Sequence, residues 1–484
     1  MSTMPNWLLK RAGLTPRRKA LVFGRKSWSF EEMLHIVLET ADNLAFLPIF
    51  KGSRAAVLMS NRPETVFIIH ALQQIGAEVV FLNSRLTPSE WAFQLNDCKA
   101  DILLFEKSFE KSVQQLSVTT KTVCINRLPK ETGQLKIREE FNLDEVCSIM
   151  YTSGTTGKPK GVLQTYGNHW WSAAGSVLNL GLREDDMWLC TVPLYHISGF
   201  SILLRSVIYG IPVMLMDKFD EKKVNDALSS GKVTIMSAVS SMLNRMLSEL
   251  GDETYHPNFR CLLLGGGPAP RPLLESCKKK NIPVYQTYGM TETVSQIVTL
   301  SPEDSLVKIG SAGKPLFPFQ LKIMNEGREA APLEPGEIVV RGPNVTPGYL
   351  NRETANKTSF QDGWFSTGDI GYLDEDGYVF VLDRRSDLII SGGENIYPAE
   401  IEEVLLAHPS VIEAGVTGVA DEKWGQVPYA FIVSRDDISE ERLVDFCRER
   451  LAPYKVPKKF IHVGELPKNG ANKLVRRELV QFLK

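Results

Sequence analysis

The sequence predicts an α/β protein: a large N-terminal domain of stacked α/β layers with a β-rich subdomain, then a small, mobile α+β domain. Three observations carry this. Short apolar runs of strand length alternate with capped helical stretches up to about residue 290, the pattern of parallel layers. From about Ser301 glycine and proline become frequent among short strand-like runs. A charged stretch, Asp383-Arg384-Arg385-Ser386-Asp387, then separates a final segment with its own strands and helices. The expected division is 1–384 and 385–484, with the β-rich part at about 301–384. At 484 residues the chain exceeds what one compact core organises.

In chain order, Ser29-Phe30-Glu31-Glu32 forms a capping box that opens a helix through about Leu47. Ala55–Met59 is a strand. Pro63 suits the first turn of the next helix and Gly76 its end. Val79–Leu82 is a strand, Thr87-Pro88-Ser89-Glu90 caps a helix, and Ile102–Phe105 is a strand. Residues 106–144 are polar and weakly patterned, hence peripheral. Further strands are expected at Met187–Thr191, Val213–Met216, Val233–Met236, Cys261–Leu264 and Val284–Thr287, with helices between. The β-rich part supplies Leu321–Met324, Glu337–Arg341 and Tyr378–Leu382. The final segment supplies strand Leu388–Ile390, helix Pro398–Ala407, strands near Val411–Val419 and Tyr429–Val433, and helix Glu440–Leu451. Ile197–Met216 is long enough to span a bilayer. Arg205 interrupts it and Gly210-Ile211-Pro212 breaks it, so a buried helix, a turn and a strand are expected instead.

Composition excludes several classes. The chain is 43% hydrophobic and 23% charged with net charge −2, which gives no general attraction to nucleic acid or acidic membranes. Seven cysteines, an odd number without a Cys-x-x-Cys, fit reduced and mostly buried thiols in the cytoplasm rather than disulfides or a metal centre. No apolar run of signal type precedes Arg17-Arg18-Lys19, so no secretory leader is expected.

The most informative stretch is Thr152-Ser153-Gly154-Thr155-Thr156-Gly157-Lys158-Pro159-Lys160-Gly161, which follows the apolar run Cys147–Tyr151. Its glycines let backbone N–H groups turn toward one anion, its hydroxyls donate, and Lys158 and Lys160 add positive charge. The spacing is not that of a Walker-type loop, because only two residues separate Gly154 from Gly157 and Pro159 follows Lys158. Composition alone also allows a flexible surface loop. The whole string resembles the phosphate loop of the adenylate-forming enzymes, the family of acyl-CoA synthetases, luciferases and peptide-synthetase adenylation domains.

Other stretches carry the same resemblance in order, from about Trp7 to Leu479. Tyr285-Gln286-Thr287-Tyr288-Gly289-Met290-Thr291-Glu292-Thr293 resembles the adenine and metal segment. The resemblance implies Tyr288 and Gly289 beside adenine, Thr291 on the α-phosphate and Glu292 on magnesium, for which a carboxylate is a suitable hard ligand. Leu264-Gly265-Gly266-Gly267-Pro268 follows a strand, so Gly266 and Gly267 either lie against the nucleotide or form a plain turn. Trp364-Phe365-Ser366-Thr367-Gly368-Asp369 resembles the ribose motif, with Asp369 accepting from the ribose hydroxyls. Arg384 matches the second ribose contact, although a salt-bridged linker arginine fits as well. Pro193–Gly199 resembles the segment between nucleotide and acyl pocket, which places His196 in the pocket wall unless it is structural. Ser391-Gly392-Gly393-Glu394-Asn395-Ile396-Tyr397-Pro398 resembles the loop lining the thiol tunnel, and it also fits a helix entry. Leu466–Leu474 matches the catalytic-lysine segment, making Lys473 the catalytic residue, with Asn472 where glycine is usual.

The resemblance implies ATP-dependent, magnesium-assisted activation of a carboxylic acid to an acyl-adenylate with loss of pyrophosphate. Transfer to coenzyme A then releases AMP. The strings Leu264–Pro270, Ser295–Pro302 and Asn472-Lys473 point to family members whose acid carries a second carboxylate and a ketone on an aromatic ring. Such a pocket needs polar groups among apolar walls; His196, Ser198, Ser237 and Thr287 are the candidates. A ligase for another aryl or fatty acid, one loading a carrier protein, and a non-catalytic nucleotide-binding module are the alternatives. Glu292, Asp369 and Lys473, all present, weigh against the last.

Overall fold

The computed structural model describes residues 2–128, 136–152, 159–267, 269–384, 387–391, 394–421, 424–451, 453–469 and 473–483. A six-stranded sheet runs in the order Lys160–Thr165, Val146–Thr152, Glu78–Phe81, Arg54–Leu58, Ile102–Phe105, Lys121–Cys124. Every pairing is parallel except the first, where Lys160 stands opposite Thr152. The chain therefore leaves the sheet at Thr152 and re-enters it at Lys160 as a hairpin. Apart from Arg54 and Glu78 at their starts, the central strands Arg54–Leu58, Glu78–Phe81 and Ile102–Phe105 are apolar because both faces are covered. Ala55 and Val57 face one buried cluster, Ala56 and Leu58 the other, the period of two expected of a strand.

The capping signals act as the residue types require. Ser29 and Glu32 exchange hydrogen bonds at 3.1 and 2.8 Å, and Thr87 and Glu90 do likewise. Gly76 ends its helix at φ 90°, open to glycine at little cost. One departure lies in 106–144, expected to be peripheral: Lys121–Cys124 joins the sheet. It is an edge strand with only Cys124 buried, so its sequence lacks the apolar run of its neighbours.

The second sheet has fifteen strands. Its parallel part comprises Lys19–Phe23, Val213–Leu215, Trp188–Cys190, Ile235–Ala238, Cys261–Leu264 and Val284–Met290. Val284–Met290 outruns the expected strand because Tyr288-Gly289-Met290 pair back against Ser295–Val298. The β-rich strands are continuous with this sheet, through Val298 opposite Pro315 and Ser311 opposite Phe380. Trp364–Leu373, which carries the ribose motif, is one of them; its glycine and hydroxyls hid the strand pattern. Between the two large sheets packs the helix Ile197–Tyr209, ended by Gly210 at φ 76° and followed by the strand Val213–Leu215. Among the described residues no helix is long and apolar enough to cross a membrane. All seven cysteines are buried and unbridged.

Residues from Ile389 onward build a further sheet with strands Glu394–Ile396, Ile389–Ser391, Gly425–Ser434, Val411–Asp421 and Lys459–His462. Helices Pro398–Leu406 and Glu440–Arg448 cover it, around a buried cluster of its own. Arg476 binds Asp383 at 2.6 Å, Glu402 at 2.6 Å and Asp387 at 3.1 Å, which ties the end of the chain to the stretch preceding this sheet. Burial alone would lower the Arg476 pKa, but these carboxylates raise it overall.

In the large sheet's flank, Arg260 binds the fully buried Asp186 carboxylate at 2.5 Å, while Thr234 donates to its other oxygen. Burial pushes the Asp186 pKa up, but the hydrogen bonds from Arg260, the Arg183 backbone and Thr234 more than offset it, so the net shift is downward. A depressed carboxyl contributes stability above its unfolded pKa, about 3.9, and loses it as pH falls toward the folded value. Arg260→Ala, which strands a buried charge, should lower unfolding free energy by about 3–5 kcal/mol at pH 7. Asp186→Asn added to it should recover part of that loss. Urea denaturation of the two variants checks both.

Candidate active site

A cavity of about 490 Å³ opens beyond the carboxyl ends of the parallel strands, where open α/β sheets place ligands. His196, Ser198, Ser237, Thr287, Thr291, Gly266 and Lys473 all line it. His196 immediately precedes the helix Ile197–Tyr209, its ring edge-on to Tyr195 at 4.7 Å. Ser198 is exposed at the rim. Ser237 accepts from the Trp188 indole at 3.1 Å, and Thr287 donates to the Leu264 carbonyl at 3.3 Å. Both hydroxyls thus have a partner within the wall, which fixes how they face a ligand.

One wall residue was missed by the sequence reading, which used Arg205 only as an interruption of an apolar run. Its side chain is fully buried at the cavity. The guanidinium lies 5.5 Å from the Trp188 ring centroid, and Nη2 donates to Ser172 at 3.4 Å. Among the described residues no carboxylate pairs with it and Nε has no acceptor. Burial lowers its pKa, with Tyr209 opposing. The available signal was a cation at the centre of an apolar helix that does not span a membrane.

Thr291, also in the cavity lining, begins a single tight turn, Thr291–Thr293. Four successive carbonyls of this segment each accept a hydrogen bond from a different residue. Gln164 Nε2 donates to Thr291 at 3.0 Å, Thr346 N to Glu292 at 2.8 Å, Asn344 Nδ2 to Thr293 at 2.6 Å, and Ser172 Oγ to Val294 at 2.5 Å. The turn needs this support, because Val294, β-branched, sits in the left-handed region at φ 52°. Gly289 is required by the same hairpin: a Cβ there would lie 2.1 Å from the Ser295 carbonyl oxygen. Gln164 is in turn bonded by Ser148 Oγ at 2.7 Å, which meets His169 Nε2 at 2.9 Å. Burial, reinforced by the charge of Arg205, lowers the His169 pKa to about 3, so the ring is neutral at pH 7. The Glu292 carboxylate accepts from the Tyr349 hydroxyl at 3.0 Å.

The adenine and ribose candidates meet directly: Tyr288 donates to Asp369 Oδ2 at 2.7 Å, and Asp369 is 6% exposed. Asp369 stands opposite Arg384 across paired strands. The backbones of Arg384 and Glu394 lie in strands, but their side chains are outside the described set. Ser153, Gly154, Thr155, Thr156, Gly157, Gly392 and Gly393 lie outside the described residues, as do Lys158, Pro268, Ser386 and Asn472. Thr152 and Lys160 mark where the phosphate segment leaves and rejoins the sheet. Lys160 Nζ lies 5.1 Å from the Tyr349 ring centroid.

Lys473 reaches the cavity across Gly266, at φ 90°, where a Cβ would lie 3.3 Å from Lys473 Cε. Gly266 therefore makes room for the lysine stem, while Gly267 is exposed beside it. The lysine backbone is held by Asn469, whose side chain accepts from Lys473 N at 3.0 Å and whose N–H donates to Lys473 O at 2.8 Å.

This geometry has close counterparts. Residues 8–350 match the AMP-binding enzyme family and residues 400–473 the AMP-binding enzyme C-terminal domain. A 2-succinylbenzoate–CoA ligase of Geobacillus kaustophilus is 57% identical, covering 100% of this chain and 99% of that protein. The o-succinylbenzoate CoA synthetase of Bacillus subtilis, solved in complex with its acyl-adenylate intermediate, superposes with a TM-score of 0.95 at 50% identity, covering 99% of this chain and 98% of that one. A Mycobacterium tuberculosis fatty acyl CoA synthetase superposes at 0.78 with 32% identity, covering 98% and 97%. On both family matches and on whole-length identity, the chain belongs to the AMP-binding enzyme family.

Proposed function

We propose that this protein is an AMP-forming o-succinylbenzoate–CoA ligase acting in the cytoplasm in menaquinone synthesis. The observation that carries the substrate is Arg205, a buried guanidinium in the wall of the cavity that Lys473 also lines. An acid with two carboxylates suits such a cavity, one held at Arg205 and the other presented to the phosphates. A fatty acid would leave the Arg205 charge buried without a counter-ion. The Geobacillus kaustophilus ligase and the Bacillus subtilis synthetase are named for this acid, which supports the same reading.

In the first half-reaction a carboxylate oxygen attacks the α-phosphorus of ATP, and pyrophosphate leaves with the electrons of the broken P–O bond. Lys473 stabilises charge on the phosphoryl oxygens and aligns the carboxylate, with Thr291 donating to the α-phosphate. Magnesium, when bound, neutralises phosphate charge. The donor set fits it: Glu292 offers a hard carboxylate oxygen, held by the Tyr349 hydroxyl. Tyr288 and Gly289 would flank adenine, and Asp369 with Arg384 would hold the ribose. Thr152 to Gly157 and Lys160 would cradle the phosphates, and Gly266 with Gly267 would give the nucleotide and Lys473 room. In the second half-reaction the thiol of coenzyme A attacks the acyl carbon and AMP departs. Gly392, Gly393 and Glu394 would line the thiol tunnel. Residues 385–484 carry both this loop and Lys473, so we infer that they form a mobile unit rotating about Ser386 on the core, 1–384, between the two steps.

A panel of acids scored by CoA thioester formation tests the assignment. o-Succinylbenzoate should have the highest kcat/KM; preference for benzoate or octanoate would sink the reading. Arg205→Met should raise KM for o-succinylbenzoate by about tenfold or more, the worth of a hydrogen bond to a charged group, and leave benzoate unaffected.

Lys473→Ala should lower adenylation, followed by pyrophosphate release, by at least about a hundredfold. Thioester formation from supplied acyl-adenylate should fall far less. Pyrophosphate release at near wild-type rate from a folded variant would remove the role assigned to Lys473.

A further inference from the structure

Glu292 is held by more than its own turn. The segment Thr346–Leu350 grips it twice: Thr346 N donates to its carbonyl at 2.8 Å, and the Tyr349 hydroxyl donates to Oε1 at 3.0 Å. The same segment is fastened to the strand on which the chain returns from the phosphate loop. Leu350 N donates to Gly161 O at 2.8 Å, and Leu163 N to Gly348 O at 3.1 Å. Tyr349 itself has little freedom. Asn356 accepts from its N–H at 2.7 Å and donates to its carbonyl at 2.9 Å, and the residue is 8% exposed. Its ring carries Lys160 at 5.1 Å on the way to the hydroxyl.

We propose that Tyr349 is a positioning residue for magnesium: its hydroxyl fixes the rotation of the Glu292 carboxylate, and its ring packs against the Lys160 ammonium. This rests on the reading of Glu292 as the metal ligand. The physical reason is general. A ligand carboxylate free to rotate loses that freedom on binding the ion, whereas one already hydrogen-bonded is pre-oriented, and such partners typically contribute about 10–100-fold in metal affinity or activity. The ring and the hydroxyl have separable effects. Phenylalanine would keep the packing and the Lys160 contact and remove only the donor to Glu292, while leucine would remove both.

The test uses the full-length protein and two readouts. In adenylation assays at saturating ATP, Tyr349→Phe should raise the magnesium concentration for half-maximal rate about tenfold, within the range for such partners. Excess magnesium should restore most of kcat, and KM for the acid should not move. In the second readout, a fluorescent ATP analogue is titrated with and without magnesium. Tyr349→Phe should bind it normally without metal but lose much of the gain that metal confers; Tyr349→Leu should bind it more weakly in both conditions. An unchanged magnesium midpoint in Tyr349→Phe overturns the proposal. So does a loss of kcat that excess magnesium does not repair, which marks a purely structural role. Glu292→Gln serves as the reference. If it and the wild type both bind nucleotide without regard to magnesium, the metal role of Glu292 falls, and the proposal with it.

Discussion

The structure depends on keeping one strained turn in place. Val294 occupies a left-handed conformation that a β-branched side chain adopts only under constraint, so the segment from Thr291 to Val294 would relax if left alone. Four hydrogen bonds from four places prevent this: the strand after the phosphate loop, the helix Tyr166–Leu180, and two points of the 342–350 connection. Each is a long-range contact joining parts of the chain that fold from distant sequence. Thr291 and Glu292 thus become rigid only when both large sheets have docked, which makes the geometry of this turn a product of the whole core rather than of a local motif.

Much of the architecture was legible because its signals are local. A capping box specifies reciprocal hydrogen bonds within four residues, and Ser29 with Glu32 makes them. Apolar strands buried on both faces announce themselves, as at Ile102–Phe105. The failures share a cause. Lys121–Cys124 lies at a sheet edge, and Trp364–Leu373 carries polar residues; in both, pairing with neighbours decides the strand and the side-chain pattern does not. The site divides in the same way. Motifs could nominate Glu292, Asp369 and Lys473, since their residue types match a stated chemistry. Arg205, Ser172 and Tyr349 carry no motif. What matters about them is what they touch, and that emerges only when the helix Ile197–Tyr209 and the 342–350 connection are in place.

Arg205 also shows how a cation can be held fully buried in a cavity wall. A buried cation costs desolvation whatever occupies the site, and the protein offsets that with an aromatic face and one hydroxyl. Because Ser172 serves both Arg205 and the Val294 carbonyl, the buried guanidinium and the strained turn share a support only one side chain wide.

The burial of the cysteines has a consequence for chemical fidelity. An acyl-adenylate is a potent acylating agent, and any thiolate within reach competes with the intended acceptor. Desolvation pushes Cys98 and Cys447 to about 11, and Cys147, Cys190, Cys261 and Cys277 to about 12, so these groups remain protonated and poorly nucleophilic at neutral pH. All seven are buried. An enzyme whose product is a thioester has kept its own sulfur out of the reaction, and so guards itself against self-acylation without needing to be free of cysteine.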